Sequence, residues 1–500
     1  MKRSKPIYII SLLLCLTTLF ESCSDWLDYT PKDRETEEQT FGTRQGFYTA
    51  VNGVYNRLIS DVMYGKNLTW GMLDILALHY QTPSSLMYEG FSAANLTSYN
   101  YSDDNVSTLI ENIWEEAYAT ILNINVILEN ADARKGTILS ETDYNLIKGD
   151  LLALRAFLHF DMLRMFGPVY SRHPEQLCIP YADSGTARVY EQLSARSVIY
   201  DHLIPDLQTA EECLKAYDPV ITQGPLASTV EDEDNYTRYR QLRLNYYAVL
   251  LLKARVYLWA GDMQNALSEA QKLTDDPQVR THFPPVDPDE LLSGNNTTPD
   301  RTFSTETLFG FYDSGRDNIY TSYFESSLST SSLLAPRTNF VQQSLFGETS
   351  LYDYRMRSQW TSNGEQSYFI KYQGLDLTAQ QMSDGTYPFW TYFMPLMHLS
   401  EAYYIAAECL IDSDPSAALG YVNTILDTRG RQPLTSSNDL LTEVKKEYMR
   451  ETWGEGQAFF LFKRCYMNIT RDFNGYSTSS RTASDNIFVI PLPESELINR

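Results

Sequence analysis

Basic residues are scarce in this sequence. Its 500 residues include 40 Lys and Arg against 64 Asp and Glu, which gives a formal net charge of -24. Proteins that bind nucleic acids neutralise phosphates with clustered Lys and Arg, and no run of this chain is basic. The balance argues against a nucleic-acid partner and favours an uncharged polymer over an anionic one.

Motifs of the common enzyme classes are also missing. There is no metalloprotease helix motif, nucleophile elbow, phosphate-binding glycine loop or zinc-type cysteine pair. Carboxylate pairs of the kind that glycosidases use occur at Glu115/Glu116 and Glu447/Glu451, but Lys and Arg lie beside them on predicted helices. Salt-bridged faces are the favoured interpretation. We therefore expect a protein that is not an enzyme and has no cofactor or metal.

Cysteine and histidine are sparse and scattered, with six of each. Outside the amino-terminal segment the cysteines are Cys178, Cys213, Cys409 and Cys465, which match no metal or redox spacing and whose disulfide state the sequence leaves open. His159 and His398 fall within predicted helices and are interpreted as packing residues. The acidic run from Glu231 to Asn235 lacks the spaced ligands of a calcium loop, so we interpret it as a solvated loop, with calcium binding left open.

The amino terminus has the order of a bacterial export signal. Lys2, Arg3 and Lys5 precede an apolar stretch from Ile7 to Phe20 that is too short to span a membrane comfortably. Cys23 follows in a position that resembles the acylated cysteine of a bacterial lipobox. We predict a signal peptide over residues 1–22, lipidation of Cys23, and one mature domain over residues 23–500 that is anchored to a membrane without spanning it.

Apolar residues at three- and four-residue steps predict a mainly helical chain. The predicted helices are Ser107–Ala131, Glu141–Phe166, Ala195–Tyr217, Leu242–Trp259, Met263–Leu273, His398–Ile411, Ser416–Leu426 and Leu440–Thr452. A repeat appears when the segment from Ala254 to Asp262 is laid over the segment from Ala406 to Asp414. Both predict a helix, a short Asp turn and a second helix. This pattern indicates tetratricopeptide-like hairpins, which build scaffolds and carry no chemistry themselves.

Two irregular, aromatic-rich excursions interrupt the helices, at about residues 64–101 and 274–395. Long loops in a compact domain are often functional. The chain has 36 tyrosines, and tyrosine and tryptophan offer flat apolar faces with a polar tip, although most aromatic residues are simply core. Stacking rings flanked by polar side chains would bind sugars. The candidate ligand-binding residues are Asn67, Trp70, Asp74, Tyr80, Gln81 and Tyr88 in the first excursion, and Arg316, Asn318, Tyr320, Tyr323 and Trp360 in the second.

Five segments, in order, resemble the motifs of the SusD/RagB family. They are Cys23-Ser-Asp-Trp-Leu-Asp-Tyr-Thr-Pro-Lys-Asp33, the helix from Leu154-Arg-Ala to Gly167-Pro168, Lys371-Tyr372 with the stretch from Pro395 to Glu408, the stretch from Glu447 through Glu455-Gly456 to Lys463-Arg464, and Ile490 to Glu496. Two positions depart from the family pattern. His398 stands where Arg is common, and Leu461 replaces an Asp, which puts one structural salt bridge in doubt.

The resemblance implies an all-α, tetratricopeptide-containing SusD-like fold with an irregular, loop-rich subregion. It also implies a cell-surface lipoprotein of the outer membrane that captures oligosaccharides, or in some members peptides, and delivers them to a TonB-dependent, SusC-like transporter. A surface glycoside hydrolase, a peptide-binding RagB-like protein and a structural lid without ligand preference remain as alternatives. The sequence does not identify the glycan, its linkage, its chain length or the cognate transporter.

Overall fold

The computed structural model describes residues 37–187, 189–226, 228–230, 235–336, 339–364, 366–470 and 480–498. The predicted signal peptide, Cys23 and residues 231–234 of the acidic run lie outside these ranges. No helix in the described ranges combines the length and apolarity needed to cross a bilayer.

Ten helices of eight residues or more build the described scaffold. They are α1 (Arg44–Leu58), α2 (Asp104–Arg134), α3 (Glu141–Phe166), α4 (Ile204–Tyr217), α5 (Tyr246–Trp259), α6 (Met263–Thr274), α7 (Leu399–Leu410), α8 (Pro415–Thr428), α9 (Leu440–Glu451) and α10 (Gln457–Arg464). A short α-helix at Ala195–Ser197 and a π-helical stretch at Val198–Leu203 lead into α4. Other short α-helices are Glu37–Thr40, Met72–Leu76, Ala94–Thr97, Val220–Gln223, Pro277–His282, Pro288–Leu292, Arg316–Ile319, Tyr354–Gln359, Ala379–Asp384, Asp485–Phe488 and Glu494–Ile498.

Helix α3 is the central element and is enclosed on nearly all sides by α2, α4 and their neighbours. Ser140 caps its start, since its hydroxyl accepts a hydrogen bond from the Asp143 N–H at 3.1 Å. The helix ends at Gly167-Pro168, because proline cannot continue it. Both predicted bounds of this helix are confirmed.

The two predicted hairpins are present as α5–α6 and α7–α8, and α6 packs against α7. Each second helix begins after an aspartate that caps it. The Asp262 carboxylate accepts from Asn265 N at 3.2 Å, and the Asp414 carboxylate accepts from Ala417 N at 3.0 Å. Ala266 is fully buried, as close approach of paired helices requires. The all-α, tetratricopeptide-like prediction is confirmed.

Three two-stranded antiparallel ladders lie in the irregular regions. Strand β1 (Met87–Tyr88) pairs with β2 (Phe91–Ser92), and β4 (Trp360–Ser362) pairs with β5 (Ser367–Phe369). Strand β3 (Thr307–Tyr312) pairs with β6 (Phe393–His398), with Tyr312 opposite Phe393. Because 80 residues separate these last two strands in the chain, the pair closes the second excursion into one large loop.

Two of the motif segments meet at a buried carboxylate. Glu455 Oε1 accepts from Lys371 Nζ at 2.5 Å and lies 2.8 Å from His398 Nε2. All three side chains are at most 2% exposed. The Tyr372 hydroxyl donates to the carbonyl of Gly454 at 2.9 Å. His398, at the position where the family commonly has Arg, therefore takes part in this ion cluster.

The fourth motif segment ties α10 to the end of α3. Lys463 Nζ donates to the carbonyls of Arg164, Met165 and Gly167 at 2.7, 3.1 and 2.7 Å. A cation at this position satisfies carbonyl groups that the last helical turn leaves without partners. Next to it, Arg464 pairs with Glu408 of α7 at 2.7 Å. Leu461 is buried in the core where the family has Asp.

Candidate functional site

A group of partly exposed aromatic rings lies where β3 ends and β6 begins. We call this group the aromatic face; its members are Tyr239, Tyr312, Tyr387, Phe389 and Tyr392, and each is partly exposed. The main-chain N–H of Asp313 donates to the carbonyl of Tyr392 at 2.8 Å, which extends the pairing of the two strands by one step. The strand pair thus brings residues 80 apart in the chain to one surface.

The rings of the aromatic face form two groups of ring contacts, one of Tyr239 with Phe389 and one of Tyr392 with Tyr312 and Tyr387. Tyr239 stacks on Phe389 with centroids 5.4 Å apart and an interplanar angle of 20°. Tyr392 makes edge contacts with Tyr312 at 5.5 Å and with Tyr387 at 5.6 Å. Burial, together with a hydrogen bond to Tyr387, raises the pKa of Tyr312. The Tyr312 hydroxyl therefore stays protonated at neutral pH.

Tyr239 is held at the face in a conformation that side chains rarely adopt. Its φ is 50°, in the left-handed region, which costs a non-glycine residue about 1 kcal/mol or more. The next residue, Arg240, is fully buried and pairs with Asp218 at 2.8 Å. This ion pair fixes the backbone that presents Tyr239.

Arg316 lies beneath the face and anchors its main chain. Its Nη1 donates to the carbonyls of Trp390 at 2.7 Å and Phe393 at 3.0 Å, and the side chain is 1% exposed. No carboxylate among the described residues forms an ion pair with it. Burial lowers its pKa to about 10, which still leaves it charged at neutral pH. Arg316 therefore fixes the segment from Tyr387 to Phe393 from below.

Two partly buried carboxylates, Asp313 and Asp317, flank the rings. Burial raises the pKa of each, nearby Arg316 opposes the rise, and Asp61 raises that of Asp313 further. Asp313 Oδ1 accepts from Gly315 N at 2.8 Å. Rings with apolar faces, tyrosine hydroxyls and half-buried carboxylates together form the kind of surface that holds sugar rings and their hydroxyls.

The predicted residues of the second excursion are divided by the structure. Arg316 is under the face, Asn318 is exposed beside it, and Tyr320 is partly exposed near Arg301. Tyr323 is partly exposed and packs on Trp70 at 4.8 Å. Trp360 is 5% exposed and packs between Phe369 and Trp453 at 5.1 and 5.0 Å.

The predicted residues of the first excursion are mostly interior. Trp70 is 1% exposed, and its indole N–H donates to the carbonyl of Gly65 at 2.9 Å. Buried with it are Asn67, Asp74, Tyr80 and Tyr88, whereas Gln81 is partly exposed and donates to Gln366 at 3.2 Å.

Gly454 and Gly456, which lie in the fourth motif segment, explain why the first excursion is mostly buried. Asp74 accepts from Gly454 N at 3.0 Å, and a Cβ on Gly456 would lie 2.5 Å from the carbonyl of Leu68. Segment 64–80 therefore packs directly against Gly454–Gly456.

Sequence reasoning did not select the members of the aromatic face. A signal was present, since Tyr387-Pro-Phe-Trp-Thr-Tyr-Phe393 holds five aromatic residues in seven positions just before β6. Tyr239 and Tyr312 could not be added to it from sequence, because only the strand pairing and the buried Arg240 bring them close.

The carboxylates and histidines that were interpreted as structural have partners inside the fold. Glu447 pairs with Arg355 at 2.7 Å, and Glu451 pairs with the same arginine at 2.8 Å. Glu116 pairs with Arg57 at 2.8 Å. His159 is fully buried, and burial lowers its pKa to about 3. The salt-bridge interpretation of Glu447 and Glu451 is confirmed by these contacts.

The described cysteines form no disulfide with one another. Cys178 is buried, and Cys213, Cys409 and Cys465 are partly exposed. Burial raises the pKa of Cys178 to about 11 and that of Cys409 to about 12, so both are protonated thiols at neutral pH.

A helical scaffold that presents an accessible aromatic face has the architecture of a binding protein. Residues 25–223 match a family model described as starch-binding and associating with the outer membrane, and residues 308–490 match the SusD family model. The chain belongs to the SusD family. Its family is thus one of outer-membrane-associated, starch-binding proteins.

Relatives resemble the chain over almost its whole length. SusD-like protein P2 of Formosa agariphila is 23% identical, covering 98% of this chain and 97% of that protein. A solved SusD superfamily protein from Bacteroides thetaiotaomicron has a TM-score of 0.68 at 21% identity, covering 91% of this chain and 98% of its own. A SusD-like carbohydrate-binding protein from Bacteroides vulgatus has a TM-score of 0.63 at 19% identity, with coverages of 91% and 96%.

Proposed function

We propose that this protein binds oligosaccharides on the aromatic face, without cleaving them, at the surface of the outer membrane. The observation that carries the proposal is the two groups of partly exposed rings at one end of the β3–β6 pair, set beside Asp313 and Asp317. Stacked rings bind the C–H faces of sugars, and flanking oxygens fix their hydroxyls. Asn318 and Tyr320, both selected from the sequence, extend the proposed site beyond the face.

The anchor and the partner belong to the same proposal. A lipid on Cys23 would hold the protein at the membrane, and a TonB-dependent SusC-like transporter would receive the captured fragments. Family membership supports both elements. Copurification of a TonB-dependent transporter from detergent-solubilised outer membranes tests the partner, and a Cys23→Ala variant released from the membrane fraction tests the anchor.

Affinity electrophoresis tests the binding site. The chain from Ser24 onward would be run through native gels that contain amylopectin, laminarin, arabinoxylan or galactomannan. We expect at least one neutral polymer to retard the protein. The dissociation constant should be about tenfold larger for Tyr312→Ala and for Tyr392→Ala, because each substitution removes a stacking ring. Tyr352→Ala is the matched control, since Tyr352 is 65% exposed and is not part of the face.

A glycoside hydrolase is the second candidate, because Asp313 and Asp317 are two half-buried carboxylates with raised pKa values on one surface. This candidate predicts release of reducing ends from a retained polymer at protein excess, lost in Asp313→Asn or Asp317→Asn. Retention without product supports capture. If the protein binds none of the polymers but binds members of a mixed peptide library, the proposal of glycan capture would give way to peptide capture.

A further inference from the structure

Carboxylates around the aromatic face are more available to a ligand than the cations are. On the acidic side, Asp313 continues β3 and Asp317 follows four residues later; both are partly exposed. Asp61 is 76% exposed at its side chain and close enough to raise the pKa of Asp313. A ligand on the rings therefore meets several carboxylates at short range.

Two cations of the region, Arg316 and Lys66, are committed to the protein, whereas a third, Arg301, has no ion-pair partner among the described residues. Arg316 is enclosed and donates to two main-chain carbonyls. Lys66 is 5% exposed and pairs with Asp61 at 3.0 Å and Glu89 at 2.5 Å. Arg301 is partly exposed beside Tyr320, with Asp376 near enough to favour its charge. Asp61, Asp313 and Asp317 therefore outnumber Arg301 beside the face, which leaves an excess of negative charge there.

Asp317 has a particular geometry within this field. Its Oδ1 is buried and has no hydrogen-bond partner in the described structure. Its carboxylate packs against Gly374, where a Cβ would lie 3.1 Å from Oδ2 and 3.2 Å from Oδ1. Because Oδ1 is enclosed, a ligand hydroxyl can reach this carboxylate only at its other oxygen, and a carboxylate that is short of donors gains from such a contact. An approaching carboxylate or sulfate would instead add like-charge repulsion in a region of reduced dielectric constant.

We propose that Asp317 is the specificity-determining residue of the aromatic face, accepting hydrogen bonds from the hydroxyls of uncharged sugars and excluding uronate and sulfate groups. The inference rests on the proposed function of the same site. Asp313 strengthens the exclusion, while Arg301 is the group through which an anion would be attracted if the inference were wrong.

The test compares each of two polymers in three chemical forms, of which only one is charged. Amylopectin and laminarin would each be used as the neutral polymer, as its derivative with primary hydroxyls oxidised to carboxylates, and as the methyl ester of that derivative. We expect binding of a retained neutral polymer to be about tenfold tighter than binding of the carboxylated form, with the ester recovering most of the loss. Raising the salt concentration should strengthen binding of the carboxylated form alone, because ions screen repulsion.

Asp317→Asn should reduce the preference for the neutral polymer about threefold, chiefly by improving binding of the carboxylated form. Asp412→Asn removes the same charge from an exposed turn beyond α7 and should leave the preference unchanged. Equal binding of both forms, or tighter binding of the carboxylated form that is lost in Arg301→Gln, overturns the inference alone. If neither neutral polymer is retained, the proposed glycan function fails for these polymers and the inference falls with it.

Discussion

Arg316 donates from Nη1 to the carbonyl of Trp390 at 2.7 Å, across a gap of 74 residues in the chain. The same nitrogen reaches the carbonyl of Phe393, so one enclosed side chain fixes the main chain on both sides of Tyr392 and directly after Phe389. The spacing of the rings on the proposed ligand surface therefore depends on the hydrogen bonds of Arg316.

Arg316→Met should weaken polysaccharide retention at least about fivefold while it lowers the melting temperature only modestly. The binding loss follows because the rings lose their fixed spacing, and the small stability loss follows because burying the charge already has a cost. Affinity gels and thermal unfolding measure the two effects. Arg196→Met, at an exposed ion pair, is the control. A large drop in stability with unchanged binding by the folded fraction would show that Arg316 does not position the rings.

Trp70→Ala should destabilise the protein by about 3–5 kcal/mol, because it leaves a cavity between segment 64–80 and the rings of Tyr323 and Phe324. The folded fraction should keep its affinity for glycan, since the indole is enclosed. Urea unfolding and affinity gels separate the two effects. Lost retention at unchanged stability would instead support the sequence-based prediction that Trp70 contacts ligand.

Glu455→Gln should destabilise the protein by about 3–5 kcal/mol, since it leaves Lys371 as a buried charge without its partner. Lys371→Met alone should have a cost of similar size. The double variant should be markedly more stable than the sum of the two losses predicts, because no unpaired charge then remains. Denaturant titration of the four proteins gives the coupling energy, and simple additivity would contradict the ion-pair assignment.

His159 should make the fold sensitive to mild acid. Its Nδ1 faces the carbonyl of Arg155 at 2.9 Å, and its Nε2 accepts from Ala182 N at 2.9 Å, an arrangement that only the neutral ring satisfies. The folded pKa of about 3 lies below the ordinary value of 6.5, so the unfolded chain binds the extra proton between these values. The stability that His159 contributes is complete above pH 6.5 and is lost as the pH falls towards 3.

In the range from pH 6.5 to pH 4 this loss should be roughly 3 kcal/mol. His159→Gln should be less stable than the natural protein at pH 7 but should lose less stability on acidification. Denaturant unfolding at several pH values gives the comparison. Parallel pH profiles for the two proteins would show that His159 does not titrate in this way.

The scaffold was far more predictable from sequence than the site. Periodic apolar residues predict helix α3 and the hairpins α5–α6 and α7–α8, and the capping residues Ser140, Asp262 and Asp414 mark where helices begin. Both are local signals. Helices α1 and α10 were not assigned from the sequence.

The position of an aromatic side chain depends instead on long-range packing. Trp70 and Tyr312 both lie in aromatic-rich segments, yet one is buried against Tyr323 and Phe324 and the other is partly exposed at a strand end. Neither outcome is encoded within a few residues of the ring, so the excursions could be located from sequence but the aromatic face could not, and its member Tyr239 lies outside both excursions.

The buried cluster of Glu455 with Lys371 and His398 is separate from the exposed rings of the aromatic face. The motif residues Glu455 and Lys371 are buried inside the fold. The rings at the end of the strand pair are partly exposed, and among the described residues they share no side-chain hydrogen bond with this cluster; these rings are Tyr312, Tyr387, Phe389 and Tyr392. Exchanging the rings would therefore leave the interior assembly undisturbed. Substitutions at a few positions of the aromatic face should therefore change the proposed glycan preference while the buried family motifs stay unchanged.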